Sequence, residues 1–423
     1  MSDLPKGWKE AELQDLVPSD APILYGILQP GPDLEDGIPY VRPTEITDDV
    51  IQLDGIRRTS KAISKKYKRS VLAAEDIILS MVGTIGKVAI VPPILEGGNI
   101  TQSAVRIRPN GDVINPRYLA WLLRSPGLRR QYDENRLGTA VPRLNVRDIR
   151  TLKAPVPPLP EQRRIVARIE ELISRLDTGV AALRHAKAQL QRYRLSVLAA
   201  AVTGQLTQAW REQHGLTMED WRQTTLGDES ALVTSGSRGW ARYYADDGPL
   251  FVRAQNIKTD ALVLDDLAHV RPPAGSEGAR TQVFENDLLI TITGANVTKS
   301  ALVKQPLGEA YVSQHVALVR PVNPDHAPFL YYAIISPRNG RAFLEEKAYG
   351  AGKPGLNLTN VKEVPIGLPP LAEQHQIVAE VEARTSAIDH LEAELDRQIT
   401  RSNRLRQSTL ASAFSGNLVC NCH

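Results

Sequence analysis

PPLPEQRRIVARIE, beginning at Pro157, returns as PPLAEQHQIVAEVE at Pro369, 212 residues later. The register holds through Ser174 and Ser386, Asp177 and Asp389, and Leu183 and Leu395. At the far end RYRLSVLAAAVTGQL (Arg192–Leu206) lies over RLRQSTLASAFSGNL (Arg404–Leu418), with no insertion or deletion between the copies. A period this long marks a duplicated half-molecule, not a solenoid. Each copy reads as one long helix, because a double proline opens it and no proline follows from Glu161 to Val202. Apolar residues at Ile165, Ile169, Leu172, Leu176, Val180, Leu183, Leu190 and Val197, repeated at Ile377, Val381, Ile388, Leu391, Leu395 and Ile399, recur in steps of three, four or their sum. That is the seam of a helix packed on another helix. Both copies close on glycine, Gly204 and Gly416. At 1.5 Å per residue each helix is roughly 60 Å long, more than one domain's core requires.

The segments before the helices also replay one another. IPYVRPTEI (Ile38–Ile46), DIILSMVG (Asp76–Gly83), KVAIVPP (Lys87–Pro93) and SAVRIRP (Ser103–Pro109) are strand candidates bounded by Gly, Pro or Asn, and YLAWLLRSP (Tyr118–Pro126) is a short helix. In the second half PLFVRAQNI (Pro249–Ile257), DLLITITGAN (Asp287–Asn296), YVSQHVALVRP (Tyr311–Pro321) and FLYYAIISP (Phe329–Pro337) follow in the same order. GAGKPGLNLTNV (Gly350–Val361) answers GTAVPRLNVRDI (Gly138–Ile149). Framework positions persist while the residues between them differ, as expected of one fold serving two ligands.

The expected class is α+β, with mixed α/β domains at 1–156 and 209–368, long helices within 157–208 and 369–418, and a tail at 419–423. The second domain leaves the end of one helix and enters the start of the other, so the helices should run antiparallel as a coiled coil. That order predicts a pseudo-two-fold dumbbell with its two termini close together.

Composition narrows the function. A net charge of +3 places any nucleic-acid surface in local clusters of basic residues. Cys420 and Cys422, one residue apart at the C-terminus, suit neither a disulfide framework nor a zinc site, which points to a reducing, cytoplasmic setting. No apolar run predicts a signal peptide or a membrane span. Phosphate-loop, dinucleotide, zincin and nucleophile-elbow motifs do not occur, and TIGK (Thr84–Lys87) is a turn between strands. His315 is the one histidine placed as a base might be, although a lone strand histidine is more often structural.

Basic residues do cluster. RRTSKAISKKYKR holds Arg57, Arg58, Lys61, Lys65, Lys66, Lys68 and Arg69 with no acid, a composition suited to phosphates or, equally, to a solvated face. Lys87, Arg143, Arg238, Arg253, Lys299 and Lys353 extend the candidate DNA-binding set, and Gln102, Asn256, Asn296 and Gln314 add amides that could read adenine edges. Gln102 and Gln314 occupy equivalent places, so framework is as good a reading for them. Glu161, Gln162, Glu373 and Gln374 recur off the apolar stripe, as partner contacts or as a shared helix-start bond.

Two variable domains, each followed by a PPLxEQxxIV helix ending near S-x-L-x-x-A-x-x-G-x-L, resemble the specificity subunit of type I restriction-modification enzymes over nearly the whole chain. The resemblance implies two target-recognition domains, each reading half of a bipartite double-stranded DNA sequence. It implies helices that set the gap and dock two methyltransferase subunits, which bind S-adenosylmethionine and methylate adenine N6. A restriction subunit with ATP-driven translocation joins them, so ATP and Mg also belong to partner subunits, and this chain is expected to be non-catalytic with no cofactor or metal of its own. The tail VCNCH has no role in that scheme. The competing reading is a coiled-coil scaffold with two ligand-binding end domains, and a self-contained nuclease or methyltransferase is a distant third.

Overall fold

The structure is a computed structural model that describes residues 4–418 except 139, 274, 276–279 and 351–353. Two continuous helices, Leu159–Val202 and Leu371–Phe414, account for the duplicated stretch. The chain forms two compact units, Met1–Leu183 with Asp396–His423, and Arg184–Leu395, so each unit takes in part of both helices.

The units share one plan. In the first, a four-stranded antiparallel sheet runs in the order Leu24–Tyr25, Ala104–Ile107, Ile77–Ser80, Val88–Ile90. In the second the order is Ser230–Ser235, Val316–Pro321, Leu288–Thr291, Ser300–Leu302. A smaller sheet (Arg58–Thr59, Ile38–Val41, Asn99–Ile100) has its counterpart in Ala268–Val270, Tyr244–Val252 and Ala310–Val312, and in both one neighbour of the middle strand is parallel to it.

Alternation explains why the central strands read as unbroken apolar runs. Ile77 and Leu79 enter one core while Ile78 enters another, and Leu288, Ile290 and Leu289 divide the same way, so both faces of the sheet are covered. A two-residue hairpin joins Ile46–Thr47 to Val50–Ile51 through Asp48 and Asp49, both with positive φ; Thr259 and Asp260 do likewise in the second unit. A buried aspartate pins each sheet: Asp76 pairs with Arg108 and Asp287 with Arg320, both at 2.7 Å. The Asp76 hydrogen bond holds the Arg108 pKa above its ordinary value.

The helices close each core. In the first unit Ile165, Ile169 and Ile173 share a cluster with Leu410, Ala413 and Phe414, the start of one helix against the end of the other, which is an antiparallel pairing. In the second unit Val197, Leu198 and Ala201 join Ile377 and Val381. Ion pairs continue the seam, Arg406 to Asp177 in the first unit and Arg194 to Asp389 in the second. The stripe thins away from these cores: Leu176, Val180 and Leu190 are half-buried, and Leu391, expected in the seam, is exposed. Gly416 abuts Pro5 so tightly that a Cβ would lie 2.2 Å from its ring, so the two ends of the described chain meet within the first unit.

Candidate nucleic-acid interface

The strongest candidate surface is an edge of loops repeated in both units. In the first, the Met81 backbone bonds to Ser103 on one side and Leu144 on the other, at 2.9 and 2.8 Å, and Gly83 bonds to Pro142. Leu137 and Arg143 exchange backbone hydrogen bonds at 2.9 Å, so the loop between them is held as a short hairpin beside the glycine turn. Ile27 bonds to Ile100 and Gln102 to Ile27, bringing a third loop to the same edge. Gln102 and Arg143 are exposed there, and Val141 at the hairpin tip is 61% exposed, an apolar side chain with no core to fill.

The second unit repeats the edge with other residues. Ile292 bonds to His315 and Leu356 to Ile292, while Tyr349 pairs with Gly355 and is 62% exposed. Gln314 is half-buried at this edge, its Nε2 3.1 Å from His315 Nε2. Exposed Arg238 lies two residues past Gly236, where a Cβ would come within 2.0 Å of Val312 O.

The basic run of the first unit adjoins its edge. Arg57, Arg58, Lys61, Lys65, Lys66, Lys68 and Arg69 are all exposed, Arg57 just before the strand Arg58–Thr59 and the others on that strand, the helix Lys61–Lys66 and the turn Lys68–Ser70. Thr59 Oγ1 donates to Pro30 O at 2.6 Å, so the passage from Ile27 to Pro30 links the amide-bearing loop to the cations. Cations that touch phosphates position a duplex, and side chains on the loops read its bases. Replacing Lys65, Lys66, Lys68 and Arg69 with alanine is therefore expected to weaken binding to every DNA sequence alike. The slope of log affinity against log salt should flatten by about 0.9 for each phosphate that is no longer neutralised. An unchanged slope would make the run a solvated face.

Several sequence-based candidates belong to the framework instead. Lys87 Nζ donates to Pro43 O and Ile46 O at 3.0 and 2.8 Å, and Asn296 Nδ2 donates to Ala254 O and Ile257 O at 3.2 and 3.3 Å. These are corresponding carbonyls beside the two hairpins, tied by an ammonium in one unit and an amide in the other. Asn256 is 2% exposed, accepts from the Arg253 N–H and donates to Asp266 O, and Arg253 Nη2 donates to the same carbonyl at 2.9 Å. Lys87, Arg253, Asn256 and Asn296 are thus occupied in holding loops. Lys299 is half-buried at the start of the edge strand Ser300–Leu302, and Lys353 lies outside the described residues, as do Cys420 and Cys422.

Glu161, Gln162, Glu373 and Gln374 all make internal bonds at the helix starts; Gln162, Glu373 and Gln374 are buried, while Glu161 is half-buried. Gln162 is fully buried; its Nε2 donates to Pro157 O and Val113 O, and its Oε1 accepts from the Asn115 N–H. Gln374 repeats the first bond, to Pro369 O at 2.8 Å. Trp8 Nε1 donates to Glu161 at 3.1 Å, and Trp221 Nε1 donates to Glu373 at 2.9 Å. Glu373 also receives Thr207 Oγ1 and Arg211, at 2.7 and 2.6 Å. Each helix is thereby anchored to the first strand of its own unit. The tryptophans, which sequence reasoning passed over, stand at matching places in the repeat, and that was the available signal.

Among the described residues no group of three or more His, Cys, Asp or Glu is placed to hold a metal ion, and no helix is long and apolar enough to cross a membrane. The duplicated sheets, paired helices and variable loop edges define a DNA-specificity fold. The chain belongs to the type I restriction modification DNA specificity domain family, whose model matches residues 5–182 and 278–401. It is similar to the type I restriction enzyme StySPI specificity subunit of Salmonella potsdam, with 26% identity over 429 residues, 98% of this chain and 90% of that one. It is 33% identical over 211 residues to the EcoBI specificity subunit of Escherichia coli, spanning 50% of this chain and 44% of that relative. The fold is similar to a chain in a solved structure on complex assembly and conformational transition of the type I R-M system, with TM-score 0.76, 21% identity and coverage of 98% and 99%. It is also similar to the HsdS subunit from Thermoanaerobacter tengcongensis, with TM-score 0.56, 21% identity and coverage of 98% of each chain.

Proposed function

We propose that this chain is the DNA-recognising specificity subunit of a type I restriction-modification enzyme, each unit reading one half of a bipartite site in double-stranded DNA. The observation that carries this is the repetition of one strand order in two units whose loop edges present different side chains: Gln102, Val141 and Arg143 in one, Arg238, Gln314 and Tyr349 in the other. A framework repeated without its surface residues suits two different half-sites.

In this reading the chain is non-catalytic. The long helices set the gap between half-sites and dock two methyltransferase subunits, and a restriction and translocation subunit completes the complex in the cytoplasm. S-adenosylmethionine, ATP and Mg belong to those partners. The docking surface is then the solvated face of the helices, since Gln162, Glu373 and Gln374 at their starts are buried and bound internally.

Exchanging residues 209–368 for the equivalent segment of a relative is expected to change one half of the methylated sequence and leave the other intact. Methylation-sensitive sequencing after co-expression with the methyltransferase reads the result. A hybrid that altered both halves would show that the units do not read independently.

A further inference from the structure

A pocket of about 450 Å³ opens in the first unit where the basic run ends, and its charged lining is Asp20, Lys68, Arg69, Glu96, Arg106 and Arg108. Arg108 is paired with Asp76, which leaves Lys68, Arg69 and Arg106 facing Asp20 and Glu96. Arg106 differs from the other two in being 3% exposed. Its Nη2 donates to Pro22 O at 3.0 Å, its buried Nε has no hydrogen-bond partner, and no carboxylate forms an ion pair with it among the described residues. A guanidinium taken out of water is costly, the Asp76 carboxylate that attracts it is already paired with Arg108, and an anion in the pocket would relieve that cost. Burial accordingly pushes the Arg106 pKa down from its ordinary value.

The repeat supplies a control. Arg106 faces Ile78 across the sheet as Leu318 faces Leu289 in the second unit, and Leu318 is fully buried. This strand position therefore accepts leucine, and the fold does not require a cation there. A buried charge that its own structural twin omits points to a ligand.

We infer that this pocket takes a phosphate of the DNA backbone, with Arg106 as its buried donor and Lys68 and Arg69 as its rim. The inference rests on the DNA-recognition reading and extends it. Continuity with the exposed cations from Arg57 to Arg69 favours a backbone phosphate over a free one, because a duplex lying along that run arrives at the pocket. The site is confined to the first unit, so it fixes the position of one half-site only.

The test uses the full chain, its Arg106→Leu variant and its Arg69→Ala variant, with binding to a short duplex of arbitrary sequence followed by anisotropy across a salt series. Arg106→Leu is expected to lower affinity and to flatten the salt slope by about 0.9, so that between about 50 and 200 mM salt the variant loses roughly threefold less affinity than the parent. Its melting temperature should hold or rise, because a buried charge with no ion pair of its own has been replaced by the residue that the matching strand of the second unit carries. Arg69→Ala should flatten the slope in the same direction, and it carries the test if the leucine variant fails to fold. Unchanged slopes in a parent chain that binds DNA would overturn the pocket while leaving the function intact. A parent chain that binds no DNA, alone or with its methyltransferase, would overturn the functional reading itself. Inorganic phosphate that raises the melting temperature of the parent but not of Arg106→Leu, with DNA slopes unchanged, would assign the site to a free anion and overturn the backbone-phosphate source.

Discussion

Replacing Glu373 with alanine is expected to destabilise the second unit by about 3–5 kcal/mol, the range for breaking one partner of a buried ion pair. Glu373 is 0% exposed and accepts from Trp221, Thr207 and Arg211, and Arg211 is itself buried. Removing the carboxylate leaves the buried Arg211 guanidinium without its counter-ion and the Trp221 and Thr207 donors without their acceptor. The equivalent substitution in the first unit, Glu161→Ala, should cost about 1 kcal/mol, because Glu161 is half-exposed and receives a single bond from Trp8. Urea unfolding of the two variants checks the contrast. Equal losses would show that the Arg211 bond adds nothing to the anchor.

A second large loss is expected at Gly26→Ala and Gly236→Ala. A Cβ on Gly26 would lie 1.8 Å from Ile100 O, and one on Gly236 2.0 Å from Val312 O. Both obstacles are backbone atoms within paired strands, so no side-chain rotation relieves the clash. Each substitution should cost at least about 3 kcal/mol or abolish folding, in the range of the most disruptive overpacking. Gly111→Ala, with nothing within 4 Å of its Cβ, is the control and should be neutral or slightly stabilising. Thermal unfolding of the three variants decides the matter, and a Gly26→Ala protein that melts like the parent would refute the close approach. These glycines also bear on function, since Gly26 lets its loop lie against Asn99–Ile100, the strand before Gln102, and Gly236 lets the loop carrying Arg238 lie against Ala310–Val312, the strand before Gln314.

The duplication was legible in sequence because it is written in local periodicity. The apolar stripe from Ile165, the double prolines and the closing glycines each depend on near neighbours, and the helices formed where those signals placed them. Strands such as Ile77–Ser80 were legible for the same reason. The short helix Pro126–Glu134 was not, because proline, read as the stop of the preceding helix, here occupies the first turn of the next, with Ser125 as its cap.

Site residues were less legible, since a polar side chain's type does not say what it faces. Asn256 and Asn296 looked like base readers and Lys87 like a phosphate ligand, yet all three are bound to backbone carbonyls that only the folded hairpins bring within reach. Glu373 and Gln374 looked like a partner motif because they repeat, and they repeat because each helix must be tied to its own sheet. Arg106 could have been noticed by setting SAVRIRP against HVALVRP, where leucine stands in its place. That comparison shows that the two halves differ there, but only the packing shows a buried cation with no ion pair of its own.

By itself, then, the sequence determined the repeat, the helix pair, the succession of strands along the chain and the family, because these follow from the spacing of apolar residues and turn formers; the order of the strands within each sheet came only from the fold. The tertiary structure decided which polar groups are occupied and which are available. Hydrogen bonds such as Trp221 to Glu373 join residues 152 positions apart, and no local pattern records a bond whose two ends meet only after the sheets have formed.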